Sequence, residues 1–452
     1  MYRCSFSGTD KINQYEELIK VFLQPDEYEI VTDESPDIYS CDRYVFDGDK
    51  DKVKRSIYKN LQSKTGKSPK WGIITGIRPV KLAGEIYKDT KCLEDVKKIL
   101  KNTYLLDDGK AELTAEILSY QLESIGLPER NSVSVYIGIP FCPTRCLYCS
   151  FTSNQVSDEE IERYLHALCR EIRYAGSALK NHRYKIESLY VGGGTPTTLN
   201  EEQIEMLLYE IRSSFDLTDI KEFTVEAGRP DTITAEKLRL MKEYGAERIS
   251  INPQTMNEET LKLIGRAHNC EDVSKAFELA EQTGIDVINT DLIAGLPGET
   301  FDDFRNSLLQ TLDFGADNIT LHTLAVKRAS KLKDMDDKFN YRNEPLREEM
   351  LSYALSILKE KNYRPYYLYR QKHTSGNTEN IGFCRKDKVS IYNVRIMEEA
   401  QSILALGAGG ISKVYFPDEN RLERVANVSN YEIYIERIDE MIERKEKDFF
   451  ME

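Results

Sequence analysis

Between residues 132 and 324 the apolar positions alternate between two periods. Short runs rich in Val, Ile, Leu and Phe, over 133–139, 186–191, 222–226, 248–252, 286–293 and 318–324, read as strands. Between them, 158–178, 201–213, 235–244, 270–282 and 301–313 repeat their apolar residues at helical spacing. Strand then helix, over and over, predicts parallel strands joined by crossover helices. A closed barrel needs eight such units. Six strands therefore predict an α/β fold whose centre is an open, partial (β/α)6 barrel, spanning 131–330. Sites of parallel sheets lie at the carboxyl ends of their strands.

The flanks follow other patterns. Residues 1–130 predict a small N-terminal α/β domain of unknown role, with short strands over 1–6, 27–32 and 38–46. A turn at Asp47-Gly48-Asp49 precedes a helix over 50–63, and further helices are expected over 80–87 and 111–124. The only tryptophan opens 71–79, which reads as a strand meeting a turn. Residues 331–452 predict a C-terminal α/β extension that completes the substrate site. It carries a helix over 346–361, a tyrosine-rich strand over 363–369 and a loop rich in Gly, Asn and charge. A glycine cluster follows at 406–410, and 430–447 reads as a solvated surface helix.

Composition narrows the class. A chain of 452 residues exceeds one ordinary domain of roughly 100–200 residues, and 40% hydrophobic residues suffice for a sizeable core. There is no run of about 18 apolar residues, so no membrane span is expected. The net charge of −14 argues against a nucleic-acid partner, which demands a basic face. Nine cysteines, an odd number and scattered outside one motif, suit reduced thiols and a cytoplasmic location.

That one motif carries the chemistry. Cys142, Cys146 and Cys149 stand in Gly138-Ile-Pro-Phe-Cys-Pro-Thr-Arg-Cys-Leu-Tyr-Cys149. Three thiolates at this spacing can hold three irons of a [4Fe–4S] cluster and leave the fourth iron open for chemistry. A zinc site usually wants four Cys/His ligands, and no second Cys pair or nearby His exists in the segment. A disulfide framework suits small secreted chains, and buried structural thiols are the remaining alternative. The spacing resembles that of the radical S-adenosylmethionine (SAM) enzymes. The resemblance implies that the amino and carboxylate groups of SAM chelate the open iron.

Other polar residues fall at strand ends. Gly192-Gly-Gly-Thr-Pro196 follows the second strand, where glycines admit close backbone approach to a ligand or simply make a tight turn. Glu226, Gln254, Arg266 and Asp291 lie at or just beyond later strands. Singly, each reads as a satisfied structural group, since charge in a covered strand is costly unless paired. Their repeated placement towards one rim points to a single ligand with several polar groups.

Taken together, residues 136–149, 192–196, 248–254, 263–268 and 291–297 resemble the oxygen-independent coproporphyrinogen III oxidase family of radical SAM proteins. The likeness covers roughly 132–415. The N-terminal region, with 381–385 and 391–399, is most similar to the HemZ-type branch, the coproporphyrinogen dehydrogenases. The resemblance implies that Cys142, Cys146 and Cys149 bind the cluster. Tyr136 and Tyr148 would lie against SAM, and Gly193, Gly194 and Thr195 would meet its amino-acid end. Glu226, Gln254, Arg266 and Asp291 would contact SAM or a second SAM molecule, with backbone near Leu324 and Ile411 against adenosine.

Two departures from the haem-forming members stand out. Their fourth cysteine, two residues after the third, is missing, since Ser150 and Phe151 follow Cys149. A histidine of their opening motif is Gly138 here. The implied reaction is oxidative decarboxylation of coproporphyrinogen III to protoporphyrinogen IX in haem biosynthesis. It would use a one-electron reductant such as flavodoxin or ferredoxin. A haem-binding chaperone of the same family, which also lacks the fourth cysteine, is the alternative, as is another radical SAM reaction on a tetrapyrrole. Candidate cations for the substrate carboxylates are Arg328 with Lys327, Arg370 with Lys372, and Arg385 with Lys386, because guanidinium forks bind carboxylates in bidentate fashion. His268, His322 and His373 are the candidate axial ligands for haem.

Overall fold

The computed structural model describes residues 1–31, 41–76, 78–149, 153–324, 344–370 and 378–451. They form two units. One holds the described residues of 1–120, 338–348 and 368–380, and the other those of 121–337, 349–367 and 381–452.

In the first unit, β1 (Tyr2–Ser7), helix α1 (Asn13–Phe22), β2 (Tyr28–Ile30), β3 (Asp42–Val45) and helix α2 (Lys50–Thr65) follow in order. The strands make a parallel sheet in the order β2-β1-β3. Alternation sends Cys4 and Phe6 of β1 into a core with Tyr15, Leu18, Ile19 and Phe22 of α1 and Ile57 and Leu61 of α2. Asp49 caps α2 by accepting the Asp51 and Lys52 amides at 2.9 and 3.1 Å, and Gly66, at φ 70°, ends it. Helices α3 (Pro79–Thr90), α4 (Leu93–Asn102) and α5 (Asp108–Ser124) follow. The strand expected from Trp71 is instead a turn. Gly72 has φ 53° and lies so close to Tyr104 that a Cβ would stand 2.1 Å from its carbonyl oxygen. Trp71 is buried and its indole N–H donates to Glu379 at 3.0 Å.

The second unit is built on one sheet, whose first six strands alternate with helices. They are β4 (Ser132–Ile139), α6 (Asp158–Asn181), β5 (Lys185–Gly193), α7 (Glu201–Ser214), β6 (Glu222–Glu226) and α8 (Ala235–Glu243). Then come β7 (Arg248–Ser250), α9 (Glu258–Leu263), α10 (Cys270–Gln282), β8 (Val287–Ala294), α11 (Phe301–Asp313) and β9 (Asn318–Thr323). Strands β4 to β9 lie side by side in sequence order and all parallel, the partial (β/α)6 arrangement. Capping boxes start three of the crossover helices: Asn200 with Gln203, Asn269 with Asp272, and Thr300 with Asp303.

Strands covered on both faces usually read as continuous apolar runs. These do not. In register, Ser134 and Tyr136 meet Ser188 and Tyr190, and Ser188 and Tyr190 meet Glu222 and Thr224. Thr224 and Glu226 meet Arg248 and Ser250, and Asn289 and Asp291 meet Asn318 and Thr320. One face of the sheet therefore carries most of the polar side chains, while the other carries Val135, Leu189, Val225, Ile249, Leu292 and Leu321, all buried. The deep polar groups satisfy one another: Ser188 donates to Ser134 at 2.7 Å and Arg248 to Asn318 at 2.6 Å.

The chain continues with α12 (Glu344–Glu360), β10 (Arg364–Tyr369), β11 (Asn380–Cys384), α13 (Ile391–Glu398), β12 (Ser402–Leu406), β13 (Ile411–Phe416), β14 (Arg421–Ala426), α14 (Tyr431–Glu436) and α15 (Ile438–Asp448). The full sheet order is β10-β11-β9-β8-β7-β6-β5-β4-β12-β13-β14. Within the expected loop, 371–377 lie outside the described residues and Asn380–Cys384 form β11, antiparallel to β9. Its Gly382 backs onto the Tyr367 ring, which a Cβ would meet at 1.8 Å. Nor is 430–447 one solvated helix. It is two, and Tyr434, Ile438, Met441 and Lys445 are buried.

Candidate active site

The cysteine loop leaves the carboxyl end of β4 and is tied down by its backbone. Cys142 N–H donates to Asn154 O at 3.0 Å, Leu147 N–H to Ile264 O at 2.9 Å and Cys149 N–H to Cys146 O at 3.2 Å. Burial pushes the Cys142 thiol up, and the neighbouring Cys149 and Cys146 add to this. The Thr195 hydroxyl, 3.5 Å from its sulfur, and the Arg229 charge work the other way.

The glycine run at the end of β5 lies against this loop. Gly194 N–H donates to Ile139 O at 2.8 Å and Thr195 N–H to Phe141 O at 2.7 Å. A Cβ on Gly194 would stand 2.4 Å from Phe141 O and 2.9 Å from the Cys142 sulfur, so only glycine fits. Gly193, at φ 118°, donates its N–H to Glu226 at 3.1 Å. Tyr190 donates to the other Glu226 oxygen at 2.5 Å. Burial, with the Asp291 charge adding to it, pushes the Glu226 carboxyl up to about 7.

Gln254 stands at φ 69°, in the left-handed region that non-glycine residues rarely adopt. It is held there by its N–H to Asp291 O at 3.0 Å and by Ile293 N–H to its own carbonyl at 2.9 Å. Its side-chain oxygen is buried without a partner. Arg266 donates to Asn252 O at 2.9 Å, Gly228 O at 3.2 Å and the Tyr148 hydroxyl at 3.3 Å, and its Nε is buried without a partner. Asp291 accepts from Asn289 at 3.0 Å and has His322 at 3.5 Å.

The strand ends thus bring together Tyr136, Gly193, Gly194, Thr195, Glu226, Gln254, Asp291 and the cysteine loop with Tyr148 and Arg266. Leu324 follows the end of β9 at this rim, its N–H on Ala294 O at 3.0 Å. Ile411 opens β13 beyond β12, at the same end as Ile137 of β4, with its side chain 48% exposed. Arg385 does not join them. It follows Cys384, whose register partner is Asn318 at the opposite, amino end of β9, and it donates to the Tyr363 hydroxyl at 3.1 Å. Arg370 belongs to the first unit. It is buried, with its guanidinium 5.3 Å over the Trp71 ring, and burial draws its pKa down to about 10. Its third companion candidate, Arg328, lies outside the described residues, as do Lys327, Ser150, Phe151, Lys372 and His373. His268 is buried, 3.7 Å from Asp231.

Sequence reasoning missed the aromatic wall. Tyr190 stacks on Tyr392 of α13 at 4.4 Å between centroids and on Tyr136 at 6.3 Å. Glu222 sets α13 in place by accepting the Ile391 amide at 2.6 Å and the Ser390 hydroxyl at 3.0 Å. The period-2 pattern of β5 marks Tyr190 as sharing a face with Gly192, but nothing local marks Tyr392.

These residues fit a cluster and SAM on two counts. Gly194 leaves room beside the Cys142 sulfur that a side chain would fill. Gln254 and Arg266 hold an acceptor and a donor that the protein leaves unused, the kind of buried group a polar ligand satisfies.

Comparison with known proteins agrees. The radical SAM superfamily model matches residues 136–310. The oxygen-independent coproporphyrinogen-III oxidase-like protein HemZ of Bacillus subtilis is 42% identical over 399 residues, 86% of this chain and 79% of that protein. The heme chaperone HemW of the same organism is 34% identical over 50% of this chain and 59% of its own length. Among solved structures, Escherichia coli coproporphyrinogen III oxidase (HemN) superposes with a TM-score of 0.54 at 22% identity, over 72% of this chain and 73% of that one.

Proposed function

We propose that this chain, which belongs to the HemZ-type branch of the radical SAM oxygen-independent coproporphyrinogen-III oxidase-like proteins, decarboxylates the propionate side chains of coproporphyrinogen III. A [4Fe–4S] cluster and SAM are the cofactors of its superfamily. Cys142, Cys146 and Cys149 would hold the cluster. The observation that carries the reading is the polar rim of the sheet converging on the cysteine loop. When bound, cluster and SAM together supply a one-electron reduction and a carbon-centred radical able to take hydrogen from an unactivated carbon. The rest falls to the chain. Gly193 and Gly194 allow close backbone approach, Gln254 and Arg266 offer unused polar atoms, and the Tyr136–Tyr190–Tyr392 wall excludes water. Each propionate loses a hydrogen atom, carbon dioxide and one electron. The reaction therefore needs a one-electron acceptor beside the reductant.

Glu226 makes the SAM site pH-dependent. Its carboxyl is neutral below about 7, whereas the cationic sulfonium group of SAM favours the ionised form. Binding below that pH must expel a proton, so SAM affinity is expected to fall by up to about tenfold per unit from pH 7 downward. Above it the affinity levels off. Calorimetric titration across pH 5.5–8.5 checks this, with a shallower slope below pH 7 expected in Glu226→Gln. A flat profile in the unaltered protein would contradict it.

A second reading, haem binding without decarboxylation, is favoured by the likeness to HemW and by the missing fourth cysteine. The deciding experiment is anaerobic turnover of the iron- and sulfide-reconstituted chain with SAM, dithionite and coproporphyrinogen III, read by mass spectrometry. Products short of one and two carboxyl groups, with 5′-deoxyadenosine formed, are expected. SAM cleavage with the porphyrinogen unchanged, or haem uptake without carbon dioxide release, would reject the decarboxylase.

A further inference from the structure

Arg229, just past the end of β6, is 3% exposed. Burying a guanidinium is expensive unless its donors are used, and this one divides them in two directions. Nε and one terminal nitrogen grip the two oxygens of Asp231, both at 3.1 Å. The other terminal nitrogen turns away to the cysteine loop, reaching the Thr144 hydroxyl at 2.7 Å and its carbonyl oxygen at 3.5 Å. Thr144 lies midway between Cys142 and Cys146, and its hydroxyl donates onward to Gly265 O at 3.0 Å. The segment between two cysteines is thus fastened from β6 by one buried cation, and from the turn after α9 by a relay through the same threonine.

We propose that Arg229 is a positioning residue for the cluster. Its guanidinium clamps the cysteine loop through Thr144, and the Arg229–Asp231 charge balance tunes the cluster's reduction potential. The proposal rests on the reading that Cys142, Cys146 and Cys149 hold the cluster. Reduction adds one negative charge to the cluster, so a buried cation on its loop favours the reduced form, and charge near a cluster is one of the levers that set its potential. Asp231 opposes the cation from its far side. Removing the arginine should therefore lower the potential, and removing the aspartate charge should raise it. A residue that merely packed the loop would not give opposite signs.

The test uses the full chain, reconstituted anaerobically, as native protein, Arg229→Gln and Asp231→Asn. Iron and sulfide content are measured first, then the potential by dithionite-mediated titration followed by electron paramagnetic resonance. At a fixed poise the ratio of reduced to oxidised cluster is expected to fall about tenfold in Arg229→Gln, which is about 59 mV for one electron. In Asp231→Asn it is expected to rise. Potentials that stay put in both variants at full iron, or that move in the same direction, would overturn the proposal. If Arg229→Gln holds no iron, the Asp231→Asn shift decides: a rise supports the tuning, and a fall or no change overturns it. If neither variant loads, Thr144→Val decides, and native iron retention there overturns the clamp. A native chain that takes up no cluster would overturn the cluster reading itself, and its iron content shows this before any variant is compared.

Discussion

Alanine at Cys142, Cys146 or Cys149, one at a time, is expected to reduce 5′-deoxyadenosine formation at least about a thousandfold, about 4 kcal/mol of lost transition-state stabilisation. Two thiolates cannot hold three irons, so the iron that must stay open to SAM loses its frame. The chain should nevertheless stay folded. The loop is anchored by backbone bonds from Cys142 to Asn154 and from Leu147 to Ile264, and by Thr144, none of which uses a thiol. Iron content should fall well below that of the native chain while the far-ultraviolet circular dichroism spectrum is retained. Cys384→Ala is the matched control. Cys384 is buried opposite Asn318, at the far end of the strands, so its removal should leave iron and SAM cleavage intact. Full iron and native turnover in any of the three loop variants would refute the ligand assignment.

The second large effect is on stability. Lys445 of α15 and Glu171 of α6 form an ion pair at 2.6 Å in which both side chains are fully buried. Glu171 also accepts from the Tyr434 hydroxyl at 2.6 Å, from Asn427 at 2.8 Å and from Gly407 N–H at 2.7 Å. Removing one partner of such a pair strands the other charge without water, which costs about 3–5 kcal/mol. Lys445→Met is expected to destabilise the chain by that amount in urea unfolding followed by circular dichroism. Adding Glu171→Leu should not add a full second penalty, since the stranded charge is then gone. The consequence reaches the site. Gly407, at φ 90°, packs where a Cβ would stand 2.5 Å from the Gly138 carbonyl oxygen, and that carbonyl accepts from Tyr164 at 2.6 Å. The C-terminal helix thus holds the glycine turn against the strand that launches the cysteine loop. Lys445→Met within about 1 kcal/mol of native stability would contradict this account.

How far the sequence goes depends on whether a feature is local. Strands β4 to β9 and their helices can be read directly, because each strand is short with apolar residues between polar ones and several helices carry their own Asn or Thr caps. The cysteine loop is legible for the same reason, all three thiols lying within eight residues of sequence. Contacts made across the fold are not. Strand β12 inserts beside β4 in parallel register, Leu406 opposite Ile137, with no pattern at either place to announce the other. Tyr392 stacks on Tyr190 only because Glu222 holds the start of α13. The lysines and glutamates of 430–447 look solvated in sequence, and Lys445 is buried only because Glu171 waits for it. Arg229 reads as an ordinary loop residue in Gly228-Arg-Pro230 until Thr144 is found on its outer nitrogen. Trp71 misleads in the other direction, since its apolar neighbours suggest a strand that the left-handed Gly72 does not permit.

The proposed function requires this site to take hydrogen from a propionate side chain of the porphyrinogen. The most direct measurement is anaerobic turnover with coproporphyrinogen III deuterated at the propionate β-carbons, followed by mass analysis of the 5′-deoxyadenosine. Deuterium in the 5′-deoxyadenosine, together with loss of carbon dioxide from the porphyrinogen, is the predicted result. Unlabelled 5′-deoxyadenosine beside an intact porphyrinogen would contradict it.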